Sequence, residues 1–216
     1  MSRKEAAMRK ILLTTLLALV MTGSSALAFV VDLTIPNEPG MPIMEYATVT
    51  GYVDGTDDSI FHFEIELADG LSAFLDGGDN FGLDKFYFNT DLSLTEGMFL
   101  NLDPDTWNVN FINNNVAGFG VFDVELADPG NRSLYLNFDI DYSSAVTEDN
   151  FFLLSGDPAG NGNGNFAAHI AGFSYGEFGS IYVRDGEAPP PVPEPGTLLL
   201  LGSGILGLAL YRRLRK

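Results

Sequence analysis

The 216-residue chain contains no cysteine. That absence excludes disulfide frameworks, thiolate zinc sites, iron–sulfur clusters and cysteine nucleophiles together. Histidine is nearly absent too: His62 and His169 are too few for a three-histidine metal site. Basic residues are scarce, with 11 Lys and Arg against 29 Asp and Glu for a net charge of −18. No basic patch is available to displace counterions from phosphates, so a nucleic-acid partner is excluded. Apolar residues are not lacking. They make up 46% of the chain and include 17 Phe, more than an intrinsically disordered chain would carry.

The few basic residues are segregated. Residues 1–28 carry Arg3, Lys4, Arg9 and Lys10 against Glu5, and residues 189–216 carry Arg212, Arg213, Arg215 and Lys216 against Glu194. The intervening 29–188 holds only Lys85, Arg132 and Arg184 against 27 acids, a net of −24. Lys and Arg that flank apolar segments stay on the cytoplasmic side, so two basic, apolar ends around an acidic body describe a membrane topology.

The first end reads as a secretory signal peptide spanning 1–28. A basic stretch precedes the apolar run from Ile11 to Met21, and the small-x-small triplet Ala26-Leu27-Ala28 follows. Ala26 and Ala28 are the small side chains that signal peptidase admits, with the cut expected after Ala28. At the other end, residues 189–195 (Pro-Pro-Pro-Val-Pro-Glu-Pro) can form neither helix nor ladder and predict an extended spacer. Residues 196–211 are uncharged and rich in Leu and Gly. As a helix they would reach about 24 Å, slightly short of a typical hydrocarbon core. The sequence therefore predicts a C-terminal transmembrane helix and basic tail over 196–216, with the body held outside the cytoplasm.

Val192-Pro193-Glu194-Pro195-Gly196, a short Leu/Gly-rich helix and an Arg-rich end together resemble the PEP-CTERM sorting signal of Gram-negative, exopolysaccharide-producing bacteria. The same tail is also labelled after the C-termini of ice-binding proteins, a label that implies no ice binding. The resemblance implies that Pro193, Glu194 and Pro195 are recognition residues for an exosortase, a membrane-embedded, cysteine transpeptidase-like enzyme. On that reading the precursor sits in the inner membrane until it is cut near these residues, and the body passes to the cell surface or extracellular matrix. Catalysis would belong to the exosortase.

Residues 29–188 show period-2 alternation instead of a helical period. Phe61, Phe63, Ile65 and Leu67 alternate with His62, Glu64 and Glu66; Leu134, Leu136, Phe138 and Ile140 alternate with Tyr135, Asn137, Asp139 and Asp141. Phe122, Val124 and Leu126, and Phe86 with Phe88, follow the same rule. Further strands are expected over 29–35, 43–53, 107–112, 166–174 and 178–184, separated by turn clusters such as Asp54-Gly55, Asp69-Gly70 and Pro129-Gly130. The predicted fold is all-β, a two-sheet antiparallel sandwich, jelly-roll-like or Ig-like. The stretches Gly118–Asp123 and Asn165–Ile170 loosely resemble the globular part of many PEP-CTERM proteins, which implies an exported β domain and no catalytic activity.

The residues of the body suggest three chemistries. Asp76, Asp79 and Asp84 around Gly77-Gly78 place oxygen ligands in a Gly-rich loop suited to calcium, as do Asp54, Asp57 and Asp58 more weakly. None matches an EF-hand spacing, and Asp and Gly are also what turns are made of. Tyr87 and Tyr135, at outward strand positions, are candidate stacking platforms for carbohydrate, with Trp107 a further candidate; Tyr also suits any half-buried sheet surface. A hydrolase has weak support: carboxylate pairs are too abundant to be informative, no G-x-S-x-G elbow lies in the body, and His62 is expected exposed with His169 hydrogen-bonded in a sheet. The expectation is a non-enzymatic structural or interaction protein working alongside extracellular polysaccharide. A carbohydrate-binding module is the alternative, and a secreted hydrolase a more distant one.

Overall fold

The computed structural model describes residues 28–74, 80–128, 130–158, 160–175 and 178–186. Ten strands run in chain order: β1 (Ala28–Pro36), β2 (Ala47–Val53), β3 (Ile60–Leu67), β4 (Gly82–Phe88), β5 (Phe99–Asp103), β6 (Asn108–Asn115), β7 (Val121–Ala127), β8 (Tyr135–Asp141), β9 (Phe166–Tyr175) and β10 (Phe178–Asp185). Nine of them fall where alternation places strands. The tenth, β5, is short, with only Phe99 fully buried and with Asn101 at φ +53°, so it carries no period-2 signature. The expected strand at 43–53 starts later, at Ala47, because Tyr46 is withdrawn into the core and donates its hydroxyl to the Pro42 carbonyl at 2.6 Å.

The expected pair of separate sheets is corrected to one. All strands join in a single sheet of order β5-β8-β3-β2-β1-β10-β9-β4-β7-β6, every pairing antiparallel. The strand that makes it continuous is β1, which divides its pairing. Residues Ala28–Leu33 pair with β2, whereas Leu33–Pro36 pair with β10, with a register shift between Leu33 and Ile35. A bulge of this kind bends the strand and increases local twist, which lets one strand serve both halves of a folded sheet. The result is barrel-like and unclosed by hydrogen bonds between β5 and β6, where Phe99 and Phe111 approach at 6.3 Å between ring centroids.

Alternation explains why the sheet rolls inward. On β3, Phe61, Phe63 and Ile65 are buried in the interior; on β8, Leu136, Phe138 and Ile140; on β7, Val124 and Leu126, whereas Phe122, expected on the same face, is buried in a separate cluster. Leu134 departs from its expected inward place: it precedes β8 and is 59% exposed. Phe63 stands at the centre of the interior. Its ring contacts Phe138 at 4.8 Å, Phe88 at 5.3 Å and Phe86 at 6.3 Å, so it joins the β3/β8 half to the β4 half. Fully burying one such side chain stabilises by roughly 1.5–3 kcal/mol, and the aromatic geometry adds to that. Gly51 on β2 is required by this packing, since a Cβ there would lie 2.3 Å from the Phe29 ring.

A smaller second core lies apart from this interior. Tyr87, Val116, Phe119, Phe122 and Ala167 are all buried together, with Ile112, Ala117 and Tyr182 packed against them. Phe86 and Phe88 point into the main core, so the alternate residue Tyr87 faces the other side of β4, beneath the β6–β7 connection.

Candidate functional site

The sequence-derived candidates separate sharply once placed. Ala26, Asp76, Asp79, Pro193, Glu194 and Pro195 lie outside the described residues, as do the signal peptide helix, the Pro-rich spacer and the transmembrane helix. Among the described residues no helix is long and apolar enough to cross a membrane. Ala28 is the first residue of β1, opposite Tyr52, and the next residue, Phe29, is buried against Phe61 and Phe166.

Tyr87 is corrected from an exposed platform to a core residue. It is 3% exposed, and burial followed by the neighbouring Tyr182 and Glu125 raises its phenol pKa. Alternation identified the side of β4 correctly but could not reveal that the 116–120 segment covers it. Trp107 is also buried, with no hydrogen-bond partner for its indole nitrogen among the described residues. Tyr135 keeps its outward place at 39% exposure, and its hydroxyl donates to Asp103 Oδ1 at 3.3 Å. The Asp103 charge and partial desolvation raise its pKa.

Asp84 is not a loop ligand. It lies within β4 at a register shift between Leu83 and Lys85, where the pairing with β9 slips by one residue. The slip turns its carboxylate into a buried pocket of polar groups: Oδ1 is 2.5 Å from His169 Nδ1 and Oδ2 is 3.7 Å from Arg132 Nε. Arg132 also donates to the Asn80 carbonyl at 2.6 Å. His169 is, as expected, hydrogen-bonded in the sheet, and it stacks on Tyr182 at 4.2 Å. The carboxylate fixes the imidazole at one nitrogen and the Tyr182 ring fixes its plane.

His62 is in a different position, neither free nor fully exposed. Tyr52, His62 and Asp139 stand side by side on β2, β3 and β8, and the β2–β3 turn brings Asp54 to the same place. His62 Nδ1 is 2.5 Å from Asp139 Oδ1 and Nε2 is 3.1 Å from Asp54 Oδ2. An ionised carboxylate only accepts, and a neutral imidazole has a single N–H. Both contacts are satisfied together only by an imidazolium. Burial by itself would lower the pKa of His62, but the hydrogen bonds to Asp54 and Asp139, with their charges, outweigh it and leave it raised above 6.5. Asp54 is itself held well below the usual carboxylate range, by the Thr56 hydroxyl and amide first, then by His62 and the Asp57 amide. Asp139 also accepts from Asn101 Nδ2 at 2.6 Å, so one imidazolium ties the β2–β3 turn to β8 and, through Asn101, to edge strand β5.

The weaker acidic cluster is explained by the same turn. Asp54 Oδ1 accepts from Thr56 and Asp57, and Asp57 Oδ1 accepts from Ser59, so these carboxylates organise their own backbone. No group of three His, Cys, Asp or Glu side chains that could hold a metal occurs among the described residues. At the end of β10, Asp185 is fully buried and caps β9. Its Oδ1 accepts from the Asn165 and Phe166 amides at 2.8 and 3.0 Å, and its Oδ2 from the Asn165 side chain at 2.7 Å. Burial raises its pKa against those hydrogen bonds. The signal available in the sequence was its phase: Asp185 follows Ile181 and Val183 at two-residue spacing, which puts a carboxylate on the buried face of β10.

Residues 191–216 match the family model of the PEP-CTERM protein-sorting motif. Neither curated proteins nor solved structures gave a match to the chain. A tail of this kind implies processing by an exosortase and delivery to the cell surface or the extracellular space.

Proposed function

We propose that this chain, a carrier of the PEP-CTERM sorting motif, is a precursor whose acidic β body is the cargo and whose two ends are addresses. Signal peptidase removes residues 1–28, the 196–211 segment holds the precursor in the inner membrane, and an exosortase cuts near Pro193-Glu194-Pro195. The released body acts as a non-enzymatic structural or interaction protein among extracellular polysaccharides. The observation that carries this reading is the motif match at 191–216. The charge segregation supports it, with four basic residues closing the chain beyond an uncharged 16-residue run and a body of net −24 ahead of it. A dense acidic surface suits polymers bridged by divalent cations, because such cations relieve the self-repulsion of the body.

The test is fractionation of cells carrying the full chain or a variant with Pro193, Glu194 and Pro195 all changed to Ala. The unaltered chain is expected as a shortened product at the surface or in the medium, and the variant as a full-length inner-membrane species. Identical processing of both would refute recognition at these three residues.

A second reading, carbohydrate binding, keeps one favourable observation, the exposed ring of Tyr135 beside Asp103. Tyr87 no longer contributes to it. Retardation on a polysaccharide affinity gel that is lost in Tyr135→Ala is its expected sign, and equal mobility of the two chains on such gels counts against it.

A further inference from the structure

A sheet can grow only at its edges, and the two edges here are unlike. β5 is five residues long, ends on the charged Asp103 and is followed by Pro104. Charge, proline and shortness are the usual devices that discourage strand addition. β6 is eight residues long, with six exposed and two half-buried side chains, and has neither charge nor proline. It lies within a 17-residue stretch, 106–122, that has no charged residue at all, in a body with 27 acids. Among the described residues its backbone pairs on one side only, with β7. One irregularity interrupts that pairing between Phe111 and Asn114, and Asn108–Phe111 stay in continuous register with Val124–Ala127. Phe111, beside the open seam, is 50% exposed.

We propose that β6 is an interface strand through which two copies of this chain pair antiparallel, edge to edge, about a twofold axis. Two features select a second copy as the occupant. Chains of net −18 repel each other, so a contact between copies must fall where acids are missing, and β6 is such an edge. Five of its eight residues are Asn, whose amide both donates and accepts, so identical side chains facing each other across a twofold can bond, as two carboxylates could not. Pairing would satisfy the free backbone edge and cover the Phe111 ring.

The cysteine-free sequence makes the test direct, because one introduced cysteine is the only thiol in the chain. In the full chain, Asn108→Cys, Asn110→Cys and Asn113→Cys are expected to give disulfide-linked dimers under mild oxidation, with yield peaking at the position nearest the axis. Leu100→Cys on β5 and Tyr135→Cys on β8 are the controls and should give none. Adding Asn108→Lys or Phe111→Lys to the best reporter should lower the dimer yield at least tenfold, with an unchanged circular dichroism melt confirming the fold. Three results overturn the proposal: no dimer from any β6 cysteine, equal yield from the controls, or a yield that neither lysine reduces. Association through residues 196–211 would give dimers by mass but no crosslinks that depend on β6 position, and so counts among the overturning results.

Discussion

The two histidines of this chain occupy the outer surfaces of opposite halves of one sheet, and the halves use them differently. In the β4/β9/β10 half, His169 meets one carboxylate, Asp84, and an aromatic face, Tyr182. In the β2/β3/β8 half, His62 lies between two carboxylates, Asp54 and Asp139. One ring N–H satisfies the first arrangement, whereas the second uses both ring nitrogens as donors. Residue type therefore does not fix protonation; the number of acceptors that the register brings to the ring does.

The strongest way to break the comparison is to remove what the halves share. Phe63→Ala empties the position where Phe86, Phe88 and Phe138 meet, and is expected to cost about 3–5 kcal/mol in denaturant unfolding. Both halves should lose structure in one transition, and two separate transitions would show that they do not share a core. Next comes Asp84→Ala, which leaves Arg132 and His169 without their buried carboxylate. A loss of about 1–3 kcal/mol is expected, with Asp84→Asn milder because it retains an acceptor for His169. Equal losses for the two variants would remove the orienting role assigned to Asp84.

Smaller still is the effect of His62, and its sign follows from linkage. A histidine whose folded pKa is raised contributes stability that is complete below its ordinary value of 6.5 and is lost as pH rises through the higher folded value. Asp54, lowered from 3.8, contributes stability present above that value and lost as pH falls through its folded pKa. Both contributions are therefore complete between the ordinary values of 3.8 and 6.5, and fade below that window through the folded pKa of Asp54 and above it through that of His62. His62→Gln is expected to flatten the decline in melting temperature between pH 6 and pH 9, at a stability cost of about 0.5–1 kcal/mol at pH 6. An unchanged pH profile would show that the imidazolium contributes nothing to folding. The smallest stability effect is expected at Tyr135→Ala, whose melting temperature should stay close to that of the unaltered chain, as for other surface substitutions.

Much of the β body is legible without coordinates. Phe61, Phe63 and Ile65 announce their strand because a two-residue period with one oily face has few alternatives. Asp54-Gly55 announces its turn because those residues accept the backbone it needs. β5 is illegible for the opposite reason: with Asn101 in a left-handed conformation and few buried side chains, it is held by β8 and not by a pattern of its own. Tyr87 shows a different limit. Its side of the strand is readable, but what lies over that side depends on where the 116–120 segment returns, which local pattern does not encode. Asp84 is hidden by a one-residue slip in register, a feature of paired strands and not of either sequence.

The sequence by itself determined the sorting motif and the alternation. A basic tail behind an apolar run, a Pro-Glu-Pro spacer and strands with one apolar face are local patterns whose energetics act over a few residues. Only the tertiary structure decided that the strands form one sheet bridged by β1, which tyrosine is covered, and which histidine must carry a charge. Each of those depends on groups brought together from distant parts of the chain, such as Asp54 and Asp139 on either side of His62, and distance along the chain carries no information about which of them will meet.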